Sequence, residues 1–72
     1  MKGNNNMSKI QWTNKISGET GYVKAFSRQM GHFENTYDID EAKEYKTEAA
    51  AKTAIRGLEA VGEADNNIFE IV

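Results

Sequence analysis

Residues 46–62, KTEAAAKTAIRGLEAVG, form the stretch that predicts a helix most clearly in this chain of 72 residues. Apolar residues recur along it with the spacing of one helical face. They are Ala51, Ala54, Ile55, Leu58 and Val61. The Thr47 hydroxyl can cap the first turn, and Gly62 can adopt the left-handed conformation that follows a last turn. Because only one face is apolar, the rest of the chain must provide the surface that covers it.

Gly57 lies inside the predicted helix, where a glycine costs roughly 1 kcal/mol relative to alanine. The apolar side chains beside it are small, since the first two turns contain three alanines. Small side chains let two elements approach each other closely. We therefore expect the helix to lie close against a sheet at Gly57, in preference to a functional hinge.

Four short segments have the alternation of apolar and polar residues that is typical of β-strands. These segments are residues 9–17, 22–28, 33–37 and 68–72. The first places Ile10, Trp12 and Ile16 on one face and polar side chains on the other. The last places Phe69 and Ile71 on one face. Because this final strand is so apolar, we expect it beside the first strand or at a dimer-forming edge.

The turns between the first three strands are marked by glycine. Gly-Glu-Thr-Gly at residues 18–21 predicts a tight hairpin. Gly31 marks a second turn, at residues 29–32. In the third strand, alternation places Phe33, Asn35 and Tyr37 on one face and Glu34 and Thr36 on the other.

The acidic segment DIDEAKEY, residues 38–45, could in principle bind a cation through its four carboxylates. Its spacing does not match an EF-hand, because neither the glycine at the sixth position nor the glutamate at the twelfth is present. We expect instead that Asp38 or Asp40 caps one helical turn, with Ala42 and Tyr45 directed inward.

The second strand can be oriented in two ways. If its small residues lie under the helix, Tyr22, Lys24, Phe26 and Arg28 form an exposed aromatic and basic row, which is the kind of surface that stacks bases and neutralises phosphates. If its aromatic residues point inward, the two cations must extend to the edge of the sheet. We favour the inward orientation, because exposing two aromatic side chains loses roughly 1.5–3 kcal/mol for each. These four residues are the candidate binding residues.

Length and composition predict a single small domain at residues 9–72, preceded by a disordered polar tail at residues 1–8. The absence of cysteine excludes disulfides and thiolate metal sites. No apolar run approaches the roughly 20 residues that span a bilayer, and the amino-terminal residues lack the apolar core of a signal peptide. We expect a soluble, cytoplasmic protein, either marginally stable or dimeric.

The charges are unevenly distributed about a net charge of −2. Residues 1–33 carry a net charge of +4, and residues 34–72 carry −6. The pattern indicates either a basic binding face or attraction between the two halves within the domain, and we favour the second. The single histidine, His32, lies in a predicted turn without a second histidine or a cysteine to complete a site. We therefore predict no catalytic residue, no metal site and no cofactor.

The segment TYDIDEAKEYKTEAAAKTAI, residues 36–55, resembles short uncharacterised proteins of low-GC Gram-positive bacteria and their phages. In those proteins a hairpin is followed by an acidic turn, an A-K-x-Y-K-T step, a helix and a strand of the F-E-I-V type. The resemblance covers most of residues 9–72. It implies a fold and no known chemistry.

A second resemblance carries a function. Three strands followed by a K-T-x-x-x-A helix, beginning here at Lys46, are similar to the arm-site DNA-binding domains of tyrosine integrases and to the plant ethylene-response-factor domain. Those domains read the major groove with the sheet, which implies DNA contacts by Lys9, Lys15, Lys24 and Arg28. This chain departs from them because it is acidic overall, has no cation in its third strand and continues into a fourth strand.

Together these observations predict an α+β fold of order β-β-β-α-β, in which an antiparallel sheet of three or four strands is covered on one face by one helix. The function that we expect is that of a small, non-catalytic protein-interaction module, acting as a homodimer, adaptor or inhibitor. The alternative is a nucleic-acid-binding domain that uses the three-stranded sheet.

Overall fold

The structure, a computed structural model, describes residues 7–72 and contains one sheet and one α-helix in that range. The elements in chain order are β1 (Ile10–Asn14), β2 (Thr20–Phe26), β3 (Phe33–Thr36), a 3-10 turn (Ile39–Glu41), α1 (Glu48–Ala60), a second 3-10 turn (Glu63–Asp65) and β4 (Asn67–Ile71). The sheet is antiparallel with the strand order β3-β2-β1-β4. The predicted α+β fold and its element order are confirmed.

The core lies between the sheet and the apolar face of α1. Ile10 and Val23 from the sheet and Ala51 and Leu58 from the helix are completely buried, and Trp12 is nearly so. Ile10 and Trp12 are two residues apart in β1, so they share the face that the helix covers. A buried leucine contributes on the order of 2 kcal/mol, so a core this small leaves little stability in reserve.

Both ends of α1 have the predicted residues. The Thr47 Oγ1 accepts a hydrogen bond from the Ala50 amide at 3.0 Å, which caps the first turn. Gly62 adopts a φ of +91°, a conformation that residues with a side chain rarely adopt. The helix is therefore bounded by local backbone chemistry.

Gly57 is the point of close contact between α1 and the sheet. A Cβ atom at this position would lie 2.9 Å from Cε2 of Phe26, a distance shorter than Cβ atoms in proteins normally have to another heavy atom. The expected close approach at Gly57 is confirmed, and Phe26 is the residue that requires it.

The hairpin between β1 and β2 differs from the prediction. Gly18 provides the left-handed turn with a φ of +77°, but Gly21 lies inside β2 and is buried. The Trp12 ring crosses directly over Gly21, and the indole Nε1 donates to the Tyr22 carbonyl at 3.2 Å. Gly21 is therefore needed for packing rather than for turning.

Ile16 was predicted on the core face of the first strand, and that prediction is wrong. β1 ends at Asn14, where the side-chain carbonyl accepts hydrogen bonds from the amides of Ile16 and Ser17 at 2.9 Å. This Asx turn redirects the chain before the next inward position, so Ile16 is 87% exposed.

Thr36 lies on the face of β3 opposite to Phe33, as alternation predicts, and its side chain is buried there. Its hydroxyl donates to a Glu41 carboxylate oxygen at 3.2 Å and accepts from the Asp38 amide at 3.1 Å. Asp38 in turn accepts from the Asp40 amide at 2.9 Å, which confirms the predicted capped turn. Thr36 is buried because it holds this turn against the sheet.

The predicted placement of the final strand is confirmed. β4 pairs along its whole length with β1, and Phe69 lies opposite Trp12. Phe69 also meets Phe33 edge-on, with 5.5 Å between ring centroids. β4 is consequently an edge strand whose helix-side residues contribute to the core.

The predicted tail at residues 1–8 falls mostly on residues 1–6, which lie outside the described residues. Ser8 is described, and it forms a backbone bridge with Tyr45 through hydrogen bonds of 2.8 and 2.7 Å. Within the described residues, the first backbone pairing is that of Ser8.

Gly21→Ala tests the contact between Trp12 and β2. A Cβ at this position would lie 2.7 Å from Cζ2 of Trp12 and 2.8 Å from the Thr36 carbonyl oxygen, and overpacking of this kind costs about 1–3 kcal/mol. We expect the free energy of unfolding in urea to fall by that amount. Gly18→Asn is the control, since its Cβ meets open space and asparagine tolerates the left-handed conformation. Equal stability of Gly21→Ala and the wild type would contradict the packing described here.

Candidate functional site

A β-bulge in β2 determines which side chains face the helix. Val23 pairs with Asn35 and Ala25 pairs with Glu34, so Lys24 is an extra residue on the β2 side. A bulge shifts the alternation of side chains by one position. Val23 and Phe26 consequently both face α1, although they are three residues apart.

The structure does not assemble the four candidate binding residues into one row. Tyr22 pairs with Gln11, which places it on the uncovered face of the sheet by strand alternation. Lys24 is the exposed bulge residue, and Phe26 packs against the core from the helix side. Arg28 lies beyond β2, in the following turn. The favoured inward orientation is thus correct for Phe26 and wrong for Tyr22.

Residues 43–45 fill a gap between β1 and β2. Pairing of these two strands stops at Tyr22, and the next carbonyl of β2, that of Val23, accepts a hydrogen bond from the Lys43 amide at 2.9 Å. On the other side of the segment, Tyr45 pairs with Ser8. The segment is therefore fixed by backbone bonds on both sides.

A groove of about 530 Å³ lies between the end of β2, residues 43–45 and α1. The aromatic side chains of Phe26 and Tyr45 form part of its walls, and Arg28 and Lys43 contribute two cations. The remaining lining residues are small: Ser27, Ala50, Thr53, Ala54 and Gly57. The groove exists because α1 presents small side chains along the surface that faces Phe26.

The charged side chains that line the groove are all positive. Its lining in the described part of the chain contains two cations and no carboxylate, although the protein as a whole has a net charge of −2. The Lys43 ammonium lies 5.5 Å from the centroid of the Tyr45 ring, a cation–π contact. The Tyr45 phenol is neutral near pH 7, and burial raises its pKa further above the usual value. The groove therefore favours an anion.

The uncovered face of the sheet is largely polar in its middle. The Thr20 hydroxyl accepts a hydrogen bond from the side-chain Nε2 of Gln11 at 3.0 Å and lies 3.4 Å from the Thr13 hydroxyl. On β4, Ile68 is half exposed on this same face, opposite Thr13. An aromatic and basic row of the type that stacks bases is not present there among residues 7–72.

Among residues 7–72, no strand pairs with the outer edge of β4, which leaves backbone groups unpaired there. Lys9 and Val72 exchange two backbone hydrogen bonds, of 3.0 and 2.9 Å, which sets the alternation along the β1–β4 ladder. Residues 68, 70 and 72 therefore direct their amides and carbonyls toward β1. Asn67, Phe69 and Ile71 direct theirs away from the sheet, where a further strand could pair.

Residues 7–72 contain no cluster of three or more potential metal ligands. His32 is exposed, and its Nδ1 lies 2.9 Å from the Met30 carbonyl within the same turn. No helix in the described range is long and apolar enough to cross a membrane.

Sequence reasoning missed Lys43 as a site residue and assigned Tyr45 only a structural role. Both reach the groove because residues 43–45 enter the gap between two strands, and nothing in the local sequence marks that gap. The sequence does contain one indication of the bulge, the spacing of Val23 and Phe26. Two apolar residues three positions apart can face the same core only if a bulge interrupts the alternation of the strand. That signal would have placed Val23 and Phe26 together on the helix side and separated both from Tyr22.

Comparison of the chain with protein-family models, with curated proteins and with solved structures gives no match.

Amide hydrogen exchange tests whether residues 43–45 are fixed as described. The Lys43 and Tyr45 amides donate to the carbonyls of Val23 and Ser8, whereas the Glu44 amide donates no backbone bond within residues 7–72. We expect the first two amides to exchange at least about tenfold more slowly, after correction for sequence, than the amide between them. Equal exchange at all three positions would contradict a preformed groove wall.

Proposed function

We propose that this protein is a small, non-catalytic interaction module of the cytoplasm that self-associates through the outer edge of β4 and needs no cofactor. The observation that carries the proposal is the row of outward backbone groups at Asn67, Phe69 and Ile71.

The composition of β4 favours pairing at this edge. Natural edge strands are usually protected by proline, lysine, a bulge or a covering segment. β4 is a regular five-residue strand, NIFEI, with one charged residue, Glu70, and no proline. Ile68 is 50% exposed beside the edge. A second strand would satisfy the unpaired amides and cover this apolar side chain.

A second copy of the chain fits the edge in a definite register. An antiparallel pair of β4 strands centred on Phe69 places Phe69 opposite its symmetry mate and Asn67 opposite Ile71. This is the symmetric register that pairs all three outward residues, since each forms a hydrogen-bonded pair with another outward residue. It also places Ile68 opposite Glu70 of the second copy, so two glutamates do not face each other.

Two contacts weigh against the alternative, nucleic-acid binding by the sheet. The Phe26 ring abuts the helix at Gly57, so it is not presented to bases. The Lys9 ammonium donates to the Ile39 carbonyl at 2.7 Å, which engages one of the cations that the DNA-binding resemblance requires.

Ile68→Glu tests the β4 interface. In the proposed register the new carboxylate faces Glu70 of the second copy twice in each dimer, and opposed like charges together with the lost apolar contact weaken association by about tenfold. Sedimentation equilibrium over a wide concentration range should show a reversible dimer for the wild type and a correspondingly raised dissociation constant for the variant.

The matched control is Ile16→Glu, which makes the same change at an exposed isoleucine in the β1–β2 turn. It should leave the dimer unchanged. Ile68→Lys tests the register, since a lysine facing Glu70 of the second copy should preserve association. A wild type that is monomeric at every concentration, or equal weakening by both glutamate variants, would refute the proposal.

A further inference from the structure

We propose that the groove between β2, residues 43–45 and α1 binds a short extended segment of a partner protein that carries a carboxylate beside an apolar side chain. This surface is separate from the β4 edge, and the proposal holds whether or not the protein dimerises.

The size of the groove corresponds to a short peptide. Along α1 it runs from Ala50 to Gly57, which at 1.5 Å per residue is about 10 Å. An extended chain advances about 3.3 Å per residue, so roughly three residues fit along it. Its volume of about 530 Å³ is within the range of ligand-binding clefts. A groove of this length is longer than a single side chain would occupy.

The charge of the groove selects an acidic partner. Arg28 and Lys43 lie on the same depression, and no carboxylate among its lining residues neutralises them. The Nε of Arg28 lies about 3.4 Å from where a Cβ of Gly57 would be, so the guanidinium is held near the helix surface. A guanidinium and an ammonium on one surface can together bind a carboxylate, the first in a bidentate fashion.

The apolar part of the groove determines which side chain of the partner can lie beside the carboxylate. Phe26 and Tyr45 provide ring surface, and Ala50 and Ala54 leave the space between the rings and the helix unfilled. An aliphatic or aromatic side chain would occupy this space. Since the partner carries charge and apolar surface side by side, it must present both within about three residues.

The contacts of the rings favour a peptide over a nucleic acid. Base stacking needs an open aromatic face. The Lys43 ammonium lies over the Tyr45 ring, and the edge of the Phe26 ring abuts Gly57. An aliphatic side chain can pack on the remaining edges, whereas a stacked base would displace the lysine that is needed for the phosphate.

The groove is also preformed. Lys43 is held to Val23 by a backbone hydrogen bond, and Tyr45 is held to Ser8 by two. A ligand therefore does not have to order the wall that it binds, which lowers the entropic cost of binding.

The probe is an acetylated and amidated tripeptide of leucine, glutamate and phenylalanine, titrated into the isotopically labelled full chain and followed by amide chemical shifts. We expect shifts concentrated at Arg28, Lys43, Thr53 and Gly57. The same tripeptide with glutamine in place of glutamate should bind about tenfold more weakly, as expected for the loss of a charged hydrogen-bonding group.

The double variant Arg28→Gln with Lys43→Gln should weaken binding of the glutamate peptide by about the same factor. It should also remove the difference in affinity between the glutamate and glutamine peptides. The matched control is Lys52→Gln with Arg56→Gln, which removes one lysine and one arginine charge from residues of α1 that do not line the groove and should leave binding unchanged. Native amide spectra of both double variants verify folding. Shifts elsewhere on the protein, equal effects of the two double variants, or tighter binding of an oligothymidine than of the peptide at this site would overturn the proposal.

Discussion

The bulge at Lys24 is the constraint on which the rest of this structure depends. It lets β2 direct both Val23 and Phe26 toward the helix, and it lies next to the point where pairing with β1 stops. The Val23 carbonyl is then available to Lys43, and this bond brings residues 43–45 into the gap between two strands. Without the shift, Phe26 would turn to the solvent side, and the groove would lose the wall that faces α1.

Two glycines make room for the aromatic residues that this arrangement directs inward. Gly21 lies under the Trp12 ring, and Gly57 lies against Phe26; a Cβ at either position would meet the ring at less than 3 Å. The same small surface of α1 that admits Phe26 continues as the floor of the groove. The packing of Phe26 and the candidate binding surface therefore have a common origin in the small residues of the helix, which is why the groove is open in a domain with so small a core.

The features that sequence could predict are those fixed by local chemistry. The Thr47 cap and Gly62 follow from how helices begin and end, and the close approach at Gly57 follows from the small residues around it. The bulge could not be placed in the same way, because alternation assumes uninterrupted pairing and a bulge depends on the neighbouring strand. The role of Lys43 could not be predicted for a related reason. Its hydrogen-bond partner, the Val23 carbonyl, is distant in sequence, and this carbonyl is available only because β1 and β2 stop pairing at Tyr22.

The bulge in β2 directs Phe26, but not Tyr22, toward the helix. Nuclear Overhauser effects in the wild-type protein measure this difference directly. We expect strong effects between the Phe26 ring protons and the α-protons of Gly57, and none between the Tyr22 ring and α1. Effects from the Tyr22 ring to the helix, or the absence of any from Phe26, would contradict the bulge and the packing of Phe26 against α1.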